Sequence, residues 1–116
     1  MSSIMGAQAR SNAAGFITSK HALVTVVWCV AREVAANNIR VNICATSPSK
    51  KEIWATTEDR KSKTMGVDTT AMLNQMIPMG RHAELDEIAR SLLFLASNQS
   101  SFPICSVFML DGGFNA

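Results

Sequence analysis

Tyrosine is absent from all 116 residues. No phenol is available to pass a proton, so acid–base work falls to carboxylates, lysines, 3 cysteines and 2 histidines. Charge of one sign is also lacking. With 11 basic and 9 acidic residues the formal charge is +2, which gives no electrostatic footprint for nucleic acid or an anionic membrane surface. The nearest basic cluster, Lys50-Lys51 with Arg60, Lys61 and Lys63, is interleaved with Glu52, Glu58 and Asp59 and reads as a solvated face. Cys29, Cys44 and Cys105 are odd in number and widely spaced among apolar neighbours, which favours buried free thiols in a reducing compartment over disulfides. His21 and His82 match no ligand spacing, so they are expected at solvated or helix-end positions and no metal site is expected. The opening MSSIMGAQARSNAAG lacks the charged and then apolar pattern of a secretory signal. No uninterrupted apolar stretch is long enough for a membrane span, so the expectation is a cytosolic, cytoplasmic protein without membrane contact.

What is present is apolar periodicity, in a chain 47% hydrophobic and sized for a single domain. Leu23, Val26, Val27, Val30, Ala31 and Val34 fall on one helix face, and Val24, Trp28 and Ala35 widen it, which predicts a helix over Thr18 to Ala36 buried on two sides. Asn37-Asn38 break it, and Ile39 to Cys44 reads as a short strand. A long connection follows Pro48, with a helical stretch from Thr69 to Ile77 ending at Pro78. The spacing of Leu85, Ile88, Ala89, Leu92 and Leu95 predicts a second long helix, with Asp86 and Glu87 in its first turn. Cys105 to Leu110 is a last strand, closed by a turn at Asp111-Gly112-Gly113. Strand, helix, strand makes a crossover between parallel strands, an α/β unit. Two such strands leave both faces and both edges uncovered, so more sheet or a partner chain is expected.

Ser3, then Phe16 thirteen positions on and Lys20 one helical turn later, together with IRVN, MGRHAELDEIARSLLFLAS and VFMLDGGFNA, resemble the C-terminal half of the short-chain dehydrogenase/reductase family. The likeness runs from Ser2 to Ala116. It implies a single partial domain over 1–116: the C-terminal portion of a doubly wound, Rossmann-like parallel sheet with flanking helices, whose N-terminal cofactor-binding half is absent. It also implies hydride transfer between NAD or NADP and an alcohol or carbonyl substrate. In that pattern Ser3 matches the serine that hydrogen-bonds the substrate oxygen. Lys20 matches the lysine that holds the nicotinamide ribose. Pro48 and Ser49 stand near the family's Pro-Gly contact to the nicotinamide, apparently displaced.

The departures carry as much weight. Phe16 stands where the family has its tyrosine, and a benzyl ring has no proton to pass. It is expected instead to be a core aromatic at a helix start. The glycines at 6, 15, 66, 80, 112 and 113 offer no Gly-rich cluster for a pyrophosphate. Met1 falls where the family's fifth strand finishes, so Ser3 is expected on a frayed terminus and not on a sheet. The family's substrate loop corresponds to about Ser49 to Met79. The expectation is therefore a truncated oxidoreductase that is catalytically impaired or dead. The alternative is a non-catalytic module that pairs, as a homo-oligomer or with a full-length relative, through the Thr18–Ala36 helix.

Overall fold

The computed structural model describes residues 1–49, 59–60, 62–64 and 66–116. Three parallel strands form one sheet in the order β1-β2-β3: β1 is Ser2–Ser3, β2 is Ile43–Thr46 and β3 is Val107–Leu110. Ser2 and Ser3 pair with Ala45 and Thr46, and Ile43 to Thr46 pair in turn with Val107 to Leu110. This corrects two expectations. The sheet has three strands, and Ser3 sits on it, because the backbone groups of β2 left free by β3 find their partners in the first residues of the chain. β2, buried along most of its length as the middle strand, supplies Ile43, Cys44 and Ala45 to a core that also holds Ile4, Val24, Ala31, Ile77 and Ile88.

Helix α1 spans Ala14–Val34, tightens into a 3-10 turn at Ala35–Asn37 and stops at Asn38, whose φ of 59° is left-handed. The predicted break at Asn37-Asn38 thus has a conformational cause, asparagine being one of the few side chains that tolerate this region. The helix begins four residues earlier than its apolar stripe suggested. Burial on two sides is not found. Only Val24 and Ala31 of α1 are buried, while Val26, Trp28 and Val30 are exposed, with Cys29 beside them. By length and composition alone, Ala14–Asn37 would suffice to cross a membrane.

The strand predicted at Ile39 to Cys44 begins only at Ile43. The reason is polar. The Arg40 guanidinium donates to the Leu95 carbonyl at 2.8 Å, to Ser100 Oγ at 2.9 Å and to the Ser97 carbonyl at 3.1 Å. The Asn42 amide donates to the Pro103 carbonyl at 2.8 Å and accepts from the Ser106 N–H at 3.1 Å. These side chains tie the lead-ins of β2 and β3 together, and Ile39 is left exposed. Likewise β3 starts two residues later than predicted, after Cys105 at a left-handed φ of 57°.

Helix α2 (Thr69–Met76) is capped by the Asp68 carboxylate, which accepts from the Ala71 N–H at 3.0 Å. Helix α3 (Leu85–Ala96) is the crossover element between β2 and β3. Glu87 in its first turn accepts from the Glu84 N–H at 2.8 Å and forms a two-pronged ion pair with Arg81 at 2.7 and 2.8 Å. The predicted charged segment falls partly outside the described residues, as Lys50, Lys51, Glu52, Glu58 and Lys61 do. Within them, Asp59 and Lys63 make an exposed ion pair at 2.8 Å, in keeping with a solvated face. His82 is buried, with Nδ1 2.5 Å from Asn74 Oδ1, contrary to the expectation of a solvated or helix-end ring. Of the cysteines, Cys44 is buried and its thiol pKa is pushed up by burial, but Cys105 is half-buried and Cys29 exposed.

Candidate functional site

The carboxyl ends of β1 and β2 open into a cleft of about 310 Å³, the end of a parallel sheet at which α/β folds take ligands. Its floor is Ser3 and Thr46, one wall is the first turns of α1, and Leu73 of α2, Pro48 and Phe114 complete it. Ser3, Phe16 and Lys20, scattered over eighteen positions of sequence, therefore share one site. Phe16 and Lys20 lie four apart on α1 and face the same way, so the Lys20 ammonium sits 5.3 Å from the centre of the Phe16 ring, a cation–π contact.

Phe16 is 47% exposed and lines the cleft, so it is not the core aromatic expected of it. Its position in the first turn of α1, facing the cleft beside Lys20, explains the difference. The Ser3 hydroxyl accepts from the Met5 N–H at 3.2 Å and so caps the turn Ile4–Gly6 while its own proton stays available to a ligand. Ser2 ties the strand to the helix by donating to the Lys20 carbonyl at 3.4 Å. Gly6 permits this approach. A Cβ there would lie 2.9 Å from Ser2 Oγ, 3.2 Å from the Lys20 carbonyl oxygen and 3.2 Å from Val24 Cγ2. Absence of a side chain at one position thus sets the separation of Ser3 from Lys20.

Pro48 and Ser49 part company. Pro48 lines the cleft, whereas Ser49 is buried and bridges to Ala83 as an isolated parallel pair, which takes it out of the site. Among the lining residues that sequence reasoning passed over are Arg10, Leu73 and Phe114. Phe114 arrives there through the C-terminal turn. The buried Asp111 carboxylate accepts from the N–H groups of Gly113 at 3.0 Å and Asn115 at 3.1 Å, while Gly112 and Gly113 adopt φ of 62° and 89° against Ile77 and Pro78. The chain end is thereby folded back, Gln8 bonds Asn115, and the Arg10 guanidinium lies 6.0 Å above the Phe114 ring. The sequence signal was Asp111-Gly112-Gly113, read as a turn but not followed to what the turn carries.

The cleft sets polar donors beside apolar walls. Lys20 offers ammonium donors and Ser3 a hydroxyl beside an open space bounded by an aromatic ring and a proline. Gly6 is taken up by the packing of β1 on α1 and Gly112 and Gly113 by the C-terminal turn, while Gly15, Gly66 and Gly80 lie in open surroundings far apart in the sequence, so the glycines form no contiguous run of amides for a pyrophosphate.

Comparison with known proteins agrees with this geometry. A family model described as enoyl-(acyl carrier protein) reductase matches residues 1–115. The chain is 34% identical, over 97% of its length, to A-factor type gamma-butyrolactone 1'-reductase (1S-forming) of Streptomyces virginiae, and covers 42% of that protein. Among solved structures, L-sorbose reductase from Gluconobacter frateurii, complexed with NADPH and L-sorbose, superposes with a TM-score of 0.90 at 26% identity, over 98% of this chain and 45% of that one. An NADPH-bound short chain oxidoreductase from Pseudomonas aeruginosa PAO1 containing an atypical catalytic center superposes at 0.82 with 27% identity, over 98% of this chain and 44% of that one. The chain thus spans about two fifths of the length of the proteins it matches.

Proposed function

Because the chain belongs to the short-chain dehydrogenase/reductase family, we propose that it carries the substrate side of an NAD(P)-dependent oxidoreductase acting on an alcohol or carbonyl, with its proton-transfer step disabled. In this reading Ser3 holds the substrate oxygen by donating its hydroxyl proton, and Lys20 donates to the nicotinamide ribose. Pro48 bounds the nicotinamide. The bound cofactor supplies or takes the hydride. Phe16 occupies the place from which a proton must reach the same oxygen, and it has none to give. The observation that carries the reading is the gathering of Ser3, Phe16 and Lys20 on one cleft, with the Phe16 ring 5.3 Å from the Lys20 ammonium. A hydroxyl at that ring would lie within the field of the ammonium, which favours the phenolate and so tunes the proton transfer the family uses.

The test restores the missing group. Phe16→Tyr should raise nicotinamide turnover on a panel of alcohols and ketones by about a hundredfold or more over the unaltered chain, the worth of a positioned acid–base group. Equal turnover in the two would overturn the reading of residue 16. Reduced nicotinamide mononucleotide, which has no adenine end, probes the cleft separately. Its binding should weaken in Lys20→Met whatever the turnover.

A second reading has its own observation. Val26 and Val30, one turn apart on α1, are exposed, as is Trp28 on another side of the helix, and a second copy or a full-length relative packed on this apolar surface would make the chain an interaction module. Co-purification with such a relative supports it, and a chain that stays soluble and monomeric counts against it.

A further inference from the structure

Two cationic side chains and, among the described residues, no acidic one line the cleft. Arg10 and Lys20 both line it, and none of its other lining residues is aspartate or glutamate. The ion pairs of the described residues engage Lys63 and Arg81, and neither cleft cation is in one. Each instead lies over an aromatic ring: the Arg10 guanidinium 6.0 Å above Phe114 and the Lys20 ammonium 5.3 Å from Phe16. A cation on a ring face uses little of its hydrogen-bonding capacity, so the donors of Arg10 remain open to the cleft.

From this charge pattern we infer that the ligand of the cleft bears a carboxylate, held by Arg10, on a compact apolar body. A guanidinium takes a carboxylate in two parallel hydrogen bonds, and it does so best where apolar walls thin out the water. Ile4, Met5, Leu73 and Phe114 provide such walls. The volume of about 310 Å³ lies at the small end of ligand sites, which suits a single ring or a short branched chain. The function proposed above contributes one clause only: if Ser3 meets the reacting oxygen, the substrate class becomes a small hydroxy or keto acid. The carboxylate site itself rests on Arg10 and its surroundings and requires no turnover.

The experiment uses the 116-residue chain and two ligands of one shape, cyclohexanecarboxylate and cyclohexanecarboxamide, with binding followed by calorimetry or by amide NMR shifts. The carboxylate should bind about tenfold more tightly than the amide, the worth of a charge-assisted pair. Arg10→Gln should bring the two to parity, and Arg10→Lys should keep part of the difference. Arg10 is exposed, so neither change threatens the fold, and matching circular dichroism spectra establish that. Equal binding of the two ligands, no binding of either, or a preference untouched in Arg10→Gln overturns the inference. Inorganic pyrophosphate stands in for a cofactor phosphate: if it binds through Arg10 more tightly than the carboxylate does, the site is for phosphate and the inference falls. A carboxylate preference that persists while Phe16→Tyr turns over no nicotinamide would sink the proposed reaction and leave the carboxylate site standing.

Discussion

The crossover from β2 to β3 and the helix α1 that precedes it hold their places by different means. The crossover is tied by polar side chains whose partners lie within the same chain: Arg40 on the C-terminal end of α3, Asn42 between the two strand lead-ins, Asp111 on the C-terminal turn. α1 is longer and more apolar, yet only Val24 and Ala31 of it are buried, and it meets the rest of the chain mainly through β1 and the turn that follows. Buried polar groups are costly unless their partners are present, so a region built on them must contain those partners. An apolar stripe makes no such demand on its own chain. The crossover thus finds its polar partners among these residues, while most of α1 stays exposed.

Breaking the crossover should produce the larger effect. Arg40→Met keeps much of the stem but removes three hydrogen bonds and leaves the Leu95 and Ser97 carbonyls only what Ser100 donates to them. The expected loss is about 2–4 kcal/mol, seen as a lowered urea or thermal midpoint. Arg40→Lys, which can satisfy one carbonyl at a time, should recover part of it. An unchanged midpoint in Arg40→Met would mean that water serves those carbonyls as well as arginine does. On the other side of the comparison, Trp28→Glu should alter the stability of the single chain by less than about 0.5 kcal/mol, because the ring is already exposed. Its effect should fall on association. The unaltered chain is expected to self-associate or precipitate in sedimentation runs as concentration rises, and the variant to stay monomeric for longer. Identical sedimentation of the two would remove the reason for calling the exposed apolar surface around Trp28 an interface.

The same contrast decides what could be read from the sequence. Apolar spacing located α1 and α3, since periodicity reports which face is apolar, Pro78 marked the end of α2, and Asp111-Gly112-Gly113 was recognised as a turn from its residue types. Periodicity is silent on what covers the face, and α1 was accordingly expected to be buried. β1 escaped notice because two residues carry no pattern, and Ser2-Ser3 joins the sheet only through backbone groups that β2 offers. Ile39 to Asn42 looked like strand by β-branching alone, but there the Arg40 and Asn42 side chains compete with the ladder. At the site, the trio Ser3, Phe16 and Lys20 was legible from spacing and resemblance. Arg10 and Phe114 were not, because what joins them is the folding back of the chain end, 104 positions apart by their numbers in the sequence.

The smallest expected effect sharpens the comparison at the start of α3, where the crossover's polar ties reach solvent. Glu87 has its pKa lowered from 4.5 to about 2, chiefly by the hydrogen bond from Arg81 and then by the backbone N–H of Glu84. A carboxylate whose folded pKa lies below its unfolded value adds stability that is fully present above the unfolded pKa and lost as pH falls through the folded one. The contribution should thus be intact at neutral pH and fade between about 4.5 and about 2. Because both partners are well exposed, solvent and salt screen the pair, and the change in midpoint should be slight and smaller still in high salt. Glu87→Gln isolates it: the midpoint of the unaltered chain should drop more steeply with acid through that window than that of the variant, and the two curves should converge toward its lower end. Parallel curves throughout would show that the first turn of α3 is held by packing and not by its charges, and would place that turn with α1 and not with the rest of the crossover.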